Sequence, residues 1–174
     1  MQQSEEQTLI DFITGKEISN TGAEANRQSL ERFLIEEKGF LKKDIEVSVP
    51  FILNFEKESY RSRVDLIVSL RGKRLIAIKC AAGSLGSRER EILAAARLVD
   101  TYQIPYAMVS DGKTAILLDT ISGKKIGQGL GQIPTRQSLS ASMDEISFPP
   151  FPSKRRAREQ LIFRSYDSMN VNRT

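Results

Sequence analysis

The 174-residue chain predicts an α/β (α+β) fold, a mixed β-sheet flanked by helices in a single domain. Three observations lead there. Apolar residues recur at helical spacing in two segments and alternate with polar ones in several others. Glycine-containing turns sit between the alternating runs. The length and 40% hydrophobic content suffice for one core but hardly for two.

After a short apolar segment from Leu9 to Ile13, Asn20-Thr21-Gly22-Ala23-Glu24 opens a helix whose Leu30, Phe33 and Leu34 share a face, and Lys38-Gly39 closes it. Ile45, Val47 and Val49 then alternate up to Pro50, and Phe51 to Phe55 resumes as a strand bent at that proline. Arg61 to Leu70 and Leu75 to Cys80, separated by Arg71-Gly72-Lys73, pair as an antiparallel hairpin. Ser87 caps a second helix carrying Ile92, Ala95, Val99 and Tyr102 at helical spacing. Tyr106 to Ser110 and Ala115 to Asp119, split by Asp111-Gly112-Lys113, form a closing hairpin.

From Pro134 the pattern decays, so the domain is placed at residues 1–134 and a proline-containing linker with a basic tail at 135–174. The linker, 135–153, reads as extended, and Lys154 to Arg164 as a short amphipathic helix or a disordered segment. Residues 150–174 hold six cations and two anions, which accounts for the whole formal charge of +4. Attraction to nucleic acid is then a property of this tail or of a local patch on a balanced domain.

The absence of histidine removes histidine bases, imidazole zinc sites and Ser-His-Asp triads. GSLGS at 83–87 lacks the spacing of a P-loop or a dinucleotide fingerprint and reads as a loop. One cysteine, Cys80, and no membrane-length apolar run point to a soluble chain in the cytoplasm. Cys80 lies on an apolar strand face that would raise a thiol pKa, so packing is its role.

Alternation puts Arg61, Arg63, Asp65 and Ile67 on one face of their strand, and Leu75, Ala77 and Lys79 on one face of the next. Asp65 stands seven residues before Gly72 and Lys79 seven after, which sets carboxylate and ammonium side by side. A lone lysine in such a strand would be costly to bury without that counter-ion.

At these residues the chain resembles the PD-(D/E)XK nuclease superfamily, whose pattern reads here as Asp65 followed by Ala77-Ile78-Lys79. It is similar, more closely, to the N-terminal domain of type I restriction enzyme R subunits and their stand-alone relatives. The segments carrying that likeness are DFITGKEI at 11–18, Glu24 with Arg27-Gln28, YRSRVDLIV at 60–68, IKCAAGSLGSRER at 78–90, AARLVDTYQIPYAMVSDG at 95–112 and LDTISGKKIG at 118–127. The resemblance covers roughly residues 9–134 and implies a restriction-endonuclease-like fold. It further implies a site in which Glu24 and Asp65 bind magnesium, a carboxylate at position 77 completes the metal site, and Lys79 orients or activates water. Position 77 is Ala, whose methyl offers no oxygen to a hard cation.

Each residue also has a structural reading. Glu24 completes a capping box with Thr21 or serves as a ligand. Asp65 and Lys79 form a partly buried ion pair that fixes strand register, or a catalytic pair. Arg61 and Arg63 contact phosphates or are solvated, and Ser84, Ser87, Arg88 and Arg90 form an anion site at a helix start or a surface interleaved with Glu89 and Glu91. Lys154, Arg155, Arg156 and Arg158 are a solvated run or a non-specific nucleic-acid contact. The reading is a nuclease-fold domain with impaired chemistry that binds nucleic acid, DNA foremost, or assembles with protein partners or copies of itself. Its alternatives are an active magnesium-dependent endonuclease with a relocated acid, Glu24 or Glu58, and a protein-binding scaffold.

Overall fold

The computed structural model describes residues 7–171, so Arg173 of the basic tail lies outside it. The elements in chain order are β1 (Thr8–Ile10), β2 (Glu17–Ser19), α1 (Gly22–Glu36), β3 (Ile45–Asn54), β4 (Ser59–Leu70), β5 (Lys73–Cys80), α2 (Glu89–Leu98), β6 (Tyr106–Ser110), β7 (Ala115–Asp119), β8 (Lys125–Gln128), α3 (Arg136–Ser142) and α4 (Ser153–Val171). Strands β3 to β8 form one six-stranded sheet in sequence order, antiparallel except where β5 runs parallel to β6. That parallel pair is the one that needs a long crossover, and α2 supplies it. β1 and β2 form a separate small hairpin.

Local chemistry sets the boundaries. The Thr21 hydroxyl accepts from the Glu24 N–H at 3.2 Å and starts α1, and Gly39, with φ +77°, lets the chain turn away after it. Arg71 and Gly72 both have positive φ, 50° and 74°, the backbone a two-residue hairpin turn requires. Ser87 does not cap α2 as expected. A 3-10 turn, Gly86–Arg88, precedes that helix, and the Ser87 hydroxyl donates to the Ser84 carbonyl at 2.9 Å.

Apolar side chains cover both faces of the sheet. Leu66, Val68, Ile76, Ile78 and Cys80 pack against Leu30 and Leu34 of α1 and Leu139 of α3. Ile67, Ala77, Ala107 and Val109 pack against α2 and against Phe163 of α4. The bend in β3 lies at Ser48, φ +52°, rather than at Pro50, which pairs with Arg63 on this edge strand. The ladder skips the Ser48–Asp65 pair there, between Val47↔Leu66 and Val49↔Val64, with the register unchanged on either side. Beyond the skip Val49, Phe51, Leu53 and Val64 turn toward the α2 and α4 side, whereas Ile45 and Leu66 face α1. The interruption falls at the level of Asp65.

Residues 135–153 do not form an extended linker, and of the two readings of Lys154 to Arg164 the helix is the one found, so the segment after Pro134 is largely helical. It holds α3, a 3-10 turn at Met143–Glu145 and the 19-residue α4, and its Phe151 and Phe163 are buried in the core. Glu159 accepts from Arg90 at 2.5 and 2.8 Å and from Arg97 at 3.1 Å, fastening α4 to α2, and the Phe163 and Phe51 rings meet edge to face at 4.7 Å. Charged residues that read as solvated are therefore a docking surface for α4.

Candidate functional site

Asp65 and Lys79 meet as the hairpin register requires. With Leu66 opposite Ile78, the next step along the ladder brings Asp65 opposite Lys79, and Lys79 Nζ stands 3.8 Å from Asp65 Oδ2. The same carboxylate oxygen accepts from the Cys80 backbone N–H at 2.8 Å. Both residues line a cleft of about 1260 Å³ between the β4–β5 hairpin, the start of α1, β2 and the loop after β5.

Glu24, Arg61, Arg63, Ser84, Ser87 and Arg88 line that cleft as well. Arg90 does not, because Glu159 holds its guanidinium. Lys154, Arg155, Arg156 and Arg158 sit exposed on α4 away from the cleft, and Arg155 lies 5.3 Å from the Phe151 ring centre. Glu58 is outside it too, paired with Arg164 at 2.6 Å on the surface. Sequence reasoning missed three residues at this centre. Glu91 of α2, only 3% exposed, lies 3.6 Å from Lys79 Nζ; Asp167 of α4 and Tyr60 of β4 line the cleft beside it. The Tyr60 hydroxyl donates to Asp167 at 2.6 Å, and Asp167 hydrogen-bonds Glu91. The signal available was a glutamate three residues after Arg88, which gives no hint of the strand that would come to face it.

Electrostatics decide what these groups can do. Burial works against the Lys79 ammonium, yet the charges of Asp65, Glu91 and Asp167 outweigh it and raise its pKa. Lys79 is therefore a fixed cation rather than a base. Burial, with the Asp167 hydrogen bond, lifts Glu91 to about 7 against the pull of Lys79. Burial also raises the Cys80 thiol well above its ordinary value, as its apolar face implied.

The donor set does not suit a magnesium-type ion, which wants several free oxygens at short range. Glu24 does not reach back to complete a capping box, since its Oε2 accepts from Arg27 Nε at 2.9 Å and from Arg27 Nη2, while the Thr21 N–H goes to the Ser19 carbonyl. Asp65 is shared between Lys79 and a backbone amide. Ala77 is fully buried, paired with Ile67 and Ala107, and does not line the cleft. Among the described residues no three acidic or cysteine side chains converge as a metal site.

Behind Glu24 lies a second charged cluster. Arg27, 5% exposed, donates to Asp11 at 2.7 Å and to Glu31 at 2.8 Å as well as to Glu24. Three carboxylates around one guanidinium is an excess of negative charge. Burial and the Asp11 charge push Glu31 up to about 7, and its Oε2 has no hydrogen-bond partner. Asp11 goes the other way, because amide donors from Thr14 and Gln28 and the charge of Arg27 outweigh its burial. A carboxyl raised in the folded state binds its proton more tightly than in the unfolded chain. Its contribution to stability is complete below about 4.5 and is lost as pH rises through about 7. Glu31→Gln is expected to flatten the pH dependence of the melting temperature and to gain on the order of 1 kcal/mol relative to wild type between pH 5 and pH 8. Parallel melts of the two proteins across that range check it.

A mixed sheet between helical layers, with acids and bases gathered at the mouth of its central hairpin, defines a mixed α+β domain bearing a charged cleft. The chain belongs to the family described as Type I restriction enzyme R protein N terminus (HSDR_N), whose profile matches residues 22–134. Its fold is similar to that of a fragment assigned to an HsdR subunit of a type I restriction enzyme from Vibrio vulnificus YJ016, with a TM-score of 0.55 and 15% identity. That match covers 72% of this chain and 26% of the other, so the chain spans about a quarter of its relative's length. No curated protein matches the chain. No described helix is long and apolar enough to cross a membrane.

Proposed function

We propose that this chain is a PD-(D/E)XK-type nuclease-fold domain whose hydrolytic site is impaired and whose cleft holds the sugar-phosphate backbone of nucleic acid, DNA foremost. The observation that carries the reading is the state of the oxygen donors: position 77 is a buried methyl, Asp65 is committed to Lys79 and Cys80, and Glu24 is committed to Arg27. Neither relocated acid fits better, since Glu58 pairs with Arg164 outside the cleft. Arg61 and Arg63, two residues apart on β4, are exposed at the cleft and supply phosphate contacts that need no metal. By likeness to R subunits, the domain acts in the cytoplasm within a multi-subunit restriction assembly, where it holds DNA rather than cutting it.

Filter binding over a salt series, run beside a plasmid-nicking assay with magnesium or manganese, tests this. The wild-type chain is expected to bind DNA and leave the plasmid intact. The double variant Arg61→Ala, Arg63→Ala is expected to weaken binding and to lower the slope of log K against log salt by about 2. Metal-dependent nicking that disappears in Lys79→Ala would overturn the impaired-site reading, and binding indifferent to the arginines would overturn the cleft.

A further inference from the structure

The proposed cleft contains an anion of the protein's own. Arg27 and Glu24 bond each other and so do Lys79 and Asp65, and Glu17, Arg61, Arg63, Arg88 and Asp167 complete the charged lining. Asp167 belongs to α4, which lies beyond the residues 22–134 matched by the family profile. It is 7% exposed and held by the Tyr60 hydroxyl at 2.6 Å and by Glu91, the acid that stands 3.6 Å from Lys79.

The other anchors of this C-terminal segment lie upstream of Asp167. Phe151 and Phe163 are in the core, Glu159 is fastened to Arg90 and Arg97, and Arg164 to Glu58. Asp167 is carried on the turn after the last of these. Opening the Tyr60–Asp167 hydrogen bond would free the carboxylate without undoing those upstream ties.

We propose, resting on the reading of the cleft as a nucleic-acid site, that Asp167 is an internal competitor for backbone phosphate: its carboxylate occupies the neighbourhood of Lys79 and must be displaced or neutralised before a phosphate settles there. Two like charges cannot share that cation cheaply, so the resident carboxylate sets the affinity of the site. The domain's C-terminal helix thereby regulates a cleft built by the rest of the fold.

Fluorescence anisotropy with a short labelled DNA duplex and the corresponding single strand decides it, using full-length wild type, Asp167→Asn, Asp167→Ala, the control Glu145→Gln and the Arg61→Ala, Arg63→Ala pair. Glu145 is exposed and does not line the cleft. Both Asp167 variants are expected to bind roughly three- to tenfold more tightly than wild type, and Glu145→Gln about as wild type does. Equal gains from Glu145→Gln and Asp167→Asn would reduce the effect to net charge and overturn the proposal. Unchanged affinity in both Asp167 variants, with binding still lost in the arginine pair, would overturn the competitor while leaving the cleft intact. Binding indifferent to all of these substitutions would overturn both. Thermal melts confirm that each variant is folded, and Asp167→Ala serves as the second test if the amide finds a new partner.

Discussion

Arg27→Met is expected to cost about 3–5 kcal/mol of folding stability, the largest loss for any single charged side chain in this domain. The guanidinium is buried among Asp11, Glu24 and Glu31, and methionine fills much of its volume while leaving three carboxylates without a counter-charge. The variant should also become more sensitive to base. With Arg27 gone the folded-state pKa values of Asp11 and Glu31 rise, so the remaining stability is greatest at acid pH and declines as pH climbs through those raised values. For a chain of this size the loss corresponds to a fall in melting temperature of roughly 10 °C or more. Adding Glu31→Gln should recover part of it, because one of the stranded charges disappears. A single variant that melts within about 2 °C of wild type at neutral pH would show that the cluster is not a structural tie.

The same cluster connects stability to the cleft. Asp11 follows β1 and its side chain caps the turn into β2 through Ile13 and Thr14, while Gln28 of α1 accepts from the Phe12 N–H at 2.7 Å. Glu17, Ile18 and Ser19 of β2 line one side of the cleft. Loosening Arg27 therefore loosens a wall of the site and frees Glu24, whose position at the cleft depends on that arginine.

Period-two alternation and turn chemistry made the β4–β5 hairpin legible, and with it the meeting of Asp65 and Lys79, because both depend on residues close in sequence. α1 was legible from Thr21 and its apolar spacing for the same reason. α4 was legible only as one of two options over Lys154 to Arg164, and its docking not at all, since its contacts are made by Glu159, Phe163 and Asp167, few apolar positions mark it, and Leu161 and Met169 remain exposed. A helix fastened by salt bridges to α2 looks in sequence like a solvated charged segment. The turn of β3 at Ser48 was hidden because a serine carries no advance sign of positive φ, and Pro50 two residues on attracted the expectation instead. Glu91 could be placed on a helix but not beside Lys79, since that proximity arises only when α2 crosses back over the sheet.

Ala77→Glu, the substitution that would rewrite the motif as Asp65 with Glu-Ile-Lys, is expected to destabilise the domain by about 3 kcal/mol or more and to confer no cleavage. Ala77 has no exposed surface, and it is packed among Ile67, Ala107 and the alanine-rich face of α2. A glutamate there needs room that the core does not contain and a partner that it does not offer, because Lys79 is already shared between Asp65 and Glu91. Ala77→Ser, nearly the same in volume, should cost far less, which separates the charge and size of glutamate from mere disturbance of β5. Denaturant melts of both variants give the stabilities, and plasmid nicking with magnesium gives the chemistry. A stable Ala77→Glu protein that nicks DNA would mean that Glu24 and Asp65 can leave Arg27 and Lys79 for a metal, and that one missing carboxylate alone separates this cleft from a working nuclease.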